Sequence, residues 1–124
     1  MAAPNIVNVT SIYGKTAYDA QVATSASVVL SNATGSNKVL KINTIIAANI
    51  DGTNDADITV YVTNGVLTQL FHLARTITVP ADSTLVIISK DTSFYLEENM
   101  YIYAFASAIN DISLMVSYEE LDDA

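Results

Sequence analysis

The chain has no cysteine and no tryptophan, only two prolines and four glycines, and five basic residues against 13 acidic ones. The absence of cysteine excludes a disulfide framework, a thiolate nucleophile and sulfur-ligated zinc or iron–sulfur sites. Stability must then come from packing and from assembly. The shortage of bases leaves a net charge of −8. Such a field repels a phosphate backbone, so nucleic acid is not an expected partner. It also disfavours anionic membranes, and no apolar run approaches the roughly 20 residues of a membrane-spanning helix. Met1-Ala2-Ala3-Pro4-Asn5 lacks the basic and apolar regions of a secretory signal, and the expectation is synthesis and retention in a cytoplasm.

What is present is a chain of 124 residues, the length of one domain around one core. Of these residues 51% are hydrophobic and 15% charged, so Thr, Ser, Asn and Ala must cover much of the surface.

Period-two alternation recurs. Lys38-Val39-Leu40-Lys41-Ile42-Asn43-Thr44-Ile45 places Val39 and Lys41 opposite Leu40 and Ile42, and follows a cluster of turn formers over residues 31–37. Before that cluster, residues 25–30 read as a strand. Ile58, Val60 and Val62 share one face of the next strand, and Thr59, Tyr61 and Thr63 the other. Asn64-Gly65 is a hairpin signal, tolerating two successive residues at positive φ. The expected return strand covers residues 67–74, although Leu67, Leu70, Phe71 and Ala74 also fit a helical spacing. Residues 76–79 alternate up to Pro80. The run Leu85-Val86-Ile87-Ile88 predicts a strand covered on both faces. Phe94-Tyr95-Leu96 is short and extended, Glu97-Glu98-Asn99 reads as a turn, and residues 101–107 and 112–118 pair around Asn110-Asp111. Strands at intervals of about 8–12 residues predict an all-β, single-domain antiparallel β-sandwich, jelly-roll-like in rhythm. Residues 1–4 and the acidic stretch 119–124 are expected to be short tails, the second a solvated one.

No catalytic constellation emerges. Nucleophilic catalysis needs a base beside Ser, Thr or Cys, and the single histidine, His72, sits in an apolar stretch of a chain without a Gly-x-Ser-x-Gly elbow. It reads as a packing or surface residue. Glu97 and Glu98 are adjacent, so on a strand they would point to opposite faces, and in a turn both are expected to reach solvent. Asp51, Thr53, Asp55 and Asp57 place oxygens at alternate positions, but an EF-hand needs glycine and glutamate where Ala56 and Val62 stand. An Asx-rich turn and a loose calcium site both remain open for that loop. Gly14-Lys15-Thr16 matches the end of a phosphate loop, but Val9 replaces its upstream glycine and no helical pattern follows. No residue is therefore nominated for catalysis, cofactor binding or metal binding. Seven tyrosines exceed what one small core accommodates, and they are expected either at subunit contacts or along sheet edges.

The chain resembles small virion structural proteins of tailed bacteriophages that infect cyanobacteria and other marine bacteria. The likeness rests on Met1-Ala2-Ala3-Pro4-Asn5-Ile6-Val7, Val39-Leu40-Lys41-Ile42-Asn43, Asp51-Gly52-Thr53-Asn54, Val79-Pro80-Ala81-Asp82, Ile88-Ser89-Lys90-Asp91-Thr92 and Ser117-Tyr118-Glu119-Glu120. The resemblance implies a non-enzymatic capsid decoration or cement protein, a homotrimer that binds the major capsid protein on the outside of the head. The alternative it leaves open is a head, neck or tail fibre component that binds a receptor or carbohydrate. A small hydrolase using Glu97 or Glu98 is a third possibility, which would require a cleft with facing carboxylates.

Overall fold

In the computed structural model, which describes residues 9–65 and 68–122, extended backbone accounts for nearly every segment with alternating side chains. The strands are β1 (Ser11–Asp19), β2 (Ser27–Asn32), β3 (Lys38–Asn49), β4 (Ala56–Asn64), β5 (Thr68–Val79), β6 (Thr84–Ile88), β7 (Phe94–Leu96), β8 (Met100–Ala106) and β9 (Ile112–Asp122). A single 3₁₀ turn, Lys90–Thr92, separates β6 from β7.

The strands form two antiparallel sheets, ordered β1-β9-β3-β6 and β2-β8-β4-β5, with β7 beside β6 along the same edge of β3. The pairing is nested: β4 with β5, β3 with β6, β2 with β8 and β1 with β9. The chain thus runs as one long hairpin whose tip is β4-β5, rolled so that successive pairs alternate between sheets. That is the jelly roll, and the structure is an all-β, antiparallel β-sandwich.

Between the sheets lie Ile42, Ile45 and Ala47 of β3, Ile58, Val60 and Val62 of β4, Ile102 and Ala104 of β8, and Ile112, Leu114 and Val116 of β9. β-branched side chains dominate because they pack well on a pleated surface. Phe71 of β5 and Phe94 of β7 meet edge to face, 5.9 Å apart, where the two sheets approach. Two buried amides fix the loops. Asn32 Nδ2 donates to the carbonyls of Lys38 and Leu96, and Asn49 Nδ2 donates to those of Asn54 and Val79. Each replaces ladder bonds that the chain loses on leaving a strand.

Five expectations are corrected. β1, where Gly14, Lys15 and Thr16 lie, is a strand that sequence reading did not anticipate. Residues 119–122 are not a tail: β9 runs to Asp122 between β1 and β3, with Leu121 buried and Glu120 turned inward against two lysines. The 85–88 run is not covered on both faces, because β6 is an edge strand and Val86 is 58% exposed. Asn64-Gly65 is not a two-residue turn. Of the pair only Gly65 has positive φ, at 73°, and Asn64 is itself paired, with Thr68. Finally, β5 absorbs both the 67–74 and 76–79 segments as one strand. The expected tail over residues 1–4, and Leu67 of the helical spacing, lie outside the described residues.

Candidate functional site

Directly paired residues on neighbouring strands share a face, so the register maps each outer surface. On the β2-β8-β4-β5 sheet, Val28, Tyr103, Tyr61 and His72 form one row across all four strands. Tyr61 and Tyr103 stack with centroids 5.6 Å apart and planes 6° apart, and the His72 ring lies 5.3 Å from Tyr61 on its other side. Tyr101 continues the aromatic strip at 6.4 Å from Tyr103. These contacts leave Tyr61 only 8% exposed although it faces outward.

β5 shapes this face through its bulges. From Ile58 to Asn64 β4 takes six steps, while the paired stretch of β5, from Ile77 to Thr68, takes nine. The three extra residues break the alternation three times, a device that re-aims side chains. As a result Gln69, His72 and Arg75, spaced by three, line one hollow with Thr59, Thr76 and Phe105, about 320 Å³ in volume. Thr76 has φ 51°, a costly conformation for a β-branched residue, and its N–H donates to Thr59 Oγ1 at 2.9 Å. Among the described residues no carboxylate lines this hollow.

The other outer face is built differently. On the β1-β9-β3-β6 sheet, Tyr18, Met115, Ile46 and Val86 form a row across all four strands. Tyr18 is 74% exposed, and a hollow of about 260 Å³ opens between it, Ile46, Ala48 and Met115. Ile12 and Tyr13, also exposed, lie further along the β1 edge. At that end Lys15 Nζ stands 3.2 Å from both Glu120 oxygens, and Lys38 Nζ stands 3.5 Å from one of them. The Glu120 carboxylate, first by hydrogen bonding and then by charge, holds the Lys15 ammonium above its usual pKa.

The acidic candidates are not brought together. Asp51 accepts the Thr53 N–H at 2.8 Å and the Asn54 side-chain amide at 3.2 Å, and these bonds, Thr53 first, hold its carboxyl below the ordinary range. Asp55 accepts the Ala81 N–H, and Asp57 accepts the Thr78 hydroxyl. The loop is thus an Asx turn whose acids each tie a different segment. Among the described residues no cluster of three His, Cys, Asp or Glu is placed to hold a metal. Glu97 and Glu98 lie at a turn, but only Glu97 is exposed. Glu98 Oε1 accepts the Gly35 N–H at 2.7 Å, and its second oxygen is buried without a partner among the described residues. His72 is exposed and braced by Tyr61. The tyrosines divide between the aromatic strip, the β1 edge (Tyr13 and Tyr18), β7 (Tyr95) and the inward side of β9 (Tyr118). Sequence reading missed Gln69 and Arg75, whose only signal was their spacing of three from His72.

Fold and surfaces together define a jelly-roll β-sandwich with an apolar row on one outer face and an aromatic strip on the other. Scans against protein-family models and curated proteins find no match. Among solved structures the chain is similar to one described as "Bacillus endospore appendages form a novel family of disulfide-linked pili", with a TM-score of 0.54 and 14% identity. The similarity covers 100% of this chain and 98% of that one. At that identity the likeness is one of fold.

Proposed function

We propose that this chain is a non-enzymatic structural subunit of a phage virion, a homotrimeric decoration protein that binds the major capsid protein outside the head and stabilises the shell. The observation that carries the reading is the row Tyr18, Met115, Ile46 and Val86, an apolar strip across a whole sheet that no other part of the chain covers among the described residues. Exposed apolar strips of this kind mark docking surfaces. The neighbour of similar fold is itself described as forming pili, an assembly of many subunits. Those pili are disulfide-linked, whereas this chain has no cysteine and must assemble through surface complementarity alone. Binding only the assembled shell stabilises it by mass action, and symmetric copies add avidity. The net charge of −8 suits a surface turned away from packaged DNA.

The test mixes purified protein with mature heads that lack it and scores co-sedimentation and the temperature of head disruption. A trimer in solution that binds heads and raises that temperature is expected, with Val86→Asp abolishing binding while leaving the fold intact. Protein that stays in the supernatant at all concentrations overturns the reading.

A further inference from the structure

The hollow on the aromatic face lies on the sheet opposite the apolar row, and it gathers unusual residues. It holds the chain's single arginine and single histidine, in a protein with 13 acids, and among the described residues no acid lines it. The other basic groups are differently placed. Lys15 and Lys38 are committed to Glu120, Lys41 pairs in register with Glu119, and Lys90 adjoins Asp91. Arg75 makes no ion pair among the described residues. An unpaired guanidinium offers a planar fork of donors suited to a carboxylate or sulfate.

The remaining lining explains what carries that anion. Phe105 supplies an apolar wall, and Gln69, His72 and Thr76 supply hydrogen-bonding groups around it. A volume of about 320 Å³ falls at the lower end of small-molecule sites, enough for one or two rings. The site is also held in shape. The stacked Tyr103 and Tyr61, with His72 tilted against Tyr61, fix one side, and the strained Thr76, tied to Thr59, fixes the other. Three bulges in β5 are what aim Gln69, His72 and Arg75 the same way, and bulges and strain of this kind accompany binding sites.

We propose that this hollow binds an acidic saccharide, with Arg75 on the carboxylate or sulfate, Phe105 against the sugar ring, and Gln69, His72 and Thr76 on hydroxyls. A bare anion lacks the ring that Phe105 would meet, and a neutral sugar leaves Arg75 without a partner. Polyphosphates carry more charge than one guanidinium offsets against a field of −8.

Calorimetric titration with trigalacturonate, a trisaccharide sulfate, neutral cellotriose, sodium acetate and sodium sulfate tests this, using the full chain. At least one acidic trisaccharide is expected to bind at least about tenfold more tightly than cellotriose and than the matching free anion. The two acidic sugars distinguish a carboxylate from a sulfate ligand. Arg75→Gln and Phe105→Ala should each weaken binding by about tenfold, while Val86→Thr on the opposite face leaves it unchanged. Arg75 is exposed, so R75Q should keep the wild-type melting temperature, which separates lost binding from lost fold. Failure of both acidic trisaccharides to bind, equal binding by R75Q, or free anions binding as well as the sugars overturns the proposal.

Discussion

On the β1-β9-β3-β6 sheet, β1 faces β9 residue for residue from Ser11 to Asp19, β3 shifts register once against each of β9 and β6, and the outer surface carries the row Tyr18, Met115, Ile46 and Val86. On the β2-β8-β4-β5 sheet, β5 carries three more residues than the β4 stretch it pairs with, and its outer surface becomes a hollow with converging polar groups. Both sheets share one core and one pattern of alternation, and what separates them is how the register shifts are distributed: one each in the β3-β9 and β3-β6 ladders, three in the β4-β5 ladder. Single shifts leave an apolar row continuous across the first sheet, while three shifts in one strand turn polar groups of the second toward a common hollow.

If the difference is confined to the outer faces, the shared core should respond alike from either side. Ile45→Ala in the first sheet and Ile102→Ala in the second each remove a fully buried side chain. Each should lose about 2–5 kcal/mol in urea denaturation. A loss confined to one variant would mean that the bulged sheet is not part of the same cooperative unit. Next in size are the buried amides. Asn49→Ala strands the carbonyls of Asn54 and Val79 and the N–H of Asp51, and should cost about 1–3 kcal/mol in the same assay.

Strain should distinguish the sheets more finely. Thr84→Gly on β6, at an exposed and regular position, should lose about 1 kcal/mol. Thr76→Gly on β5 should be within about 0.5 kcal/mol of wild type, because glycine accepts φ 51° and relief of strain offsets its greater unfolded-state freedom. Equal losses at both sites would remove the argument that the hollow is held under strain.

The smallest effects are those of pH. Lys15 has its folded pKa raised from 10.5, so its contribution is complete below pH 10.5 and fades as pH rises through the higher folded value. Glu120→Gln should flatten that alkaline decline in the urea midpoint. Asp51 has its folded pKa lowered from 3.8, so its contribution is present above that pH and fades as pH falls through the lower folded value. Asp51→Asn should flatten the acid side alone.

The sandwich was legible because β3, β4, β8 and β9 obey period two, and the turn at Asn110-Asp111 carries its own chemistry, with Asn110 at φ 68°. Where reading failed, pairing overrode local pattern. The helical spacing of Leu70, Phe71 and Ala74 is produced by bulges, which give a strand the appearance of a longer period. The acidic end looked solvated because charge alone does not reveal that Glu120 alternates inward to meet Lys15 and Lys38. β1 was missed since Gly14 and Lys15 are poor strand formers, and only the long-range ladder with β9 holds them extended. The aromatic face was half visible: the tyrosines were counted, but Arg75 and Gln69 reach it only through irregularities that no short window encodes.

The most direct test of the proposed shell binding is hydroxyl-radical footprinting of the protein alone and mixed with heads. The expected result is strong protection of Tyr18 and Met115 on the face that carries the apolar row, with Tyr101 and Phe105 on the aromatic face reacting as they do in the free protein. Protection of the aromatic face in place of Tyr18 and Met115 would contradict it.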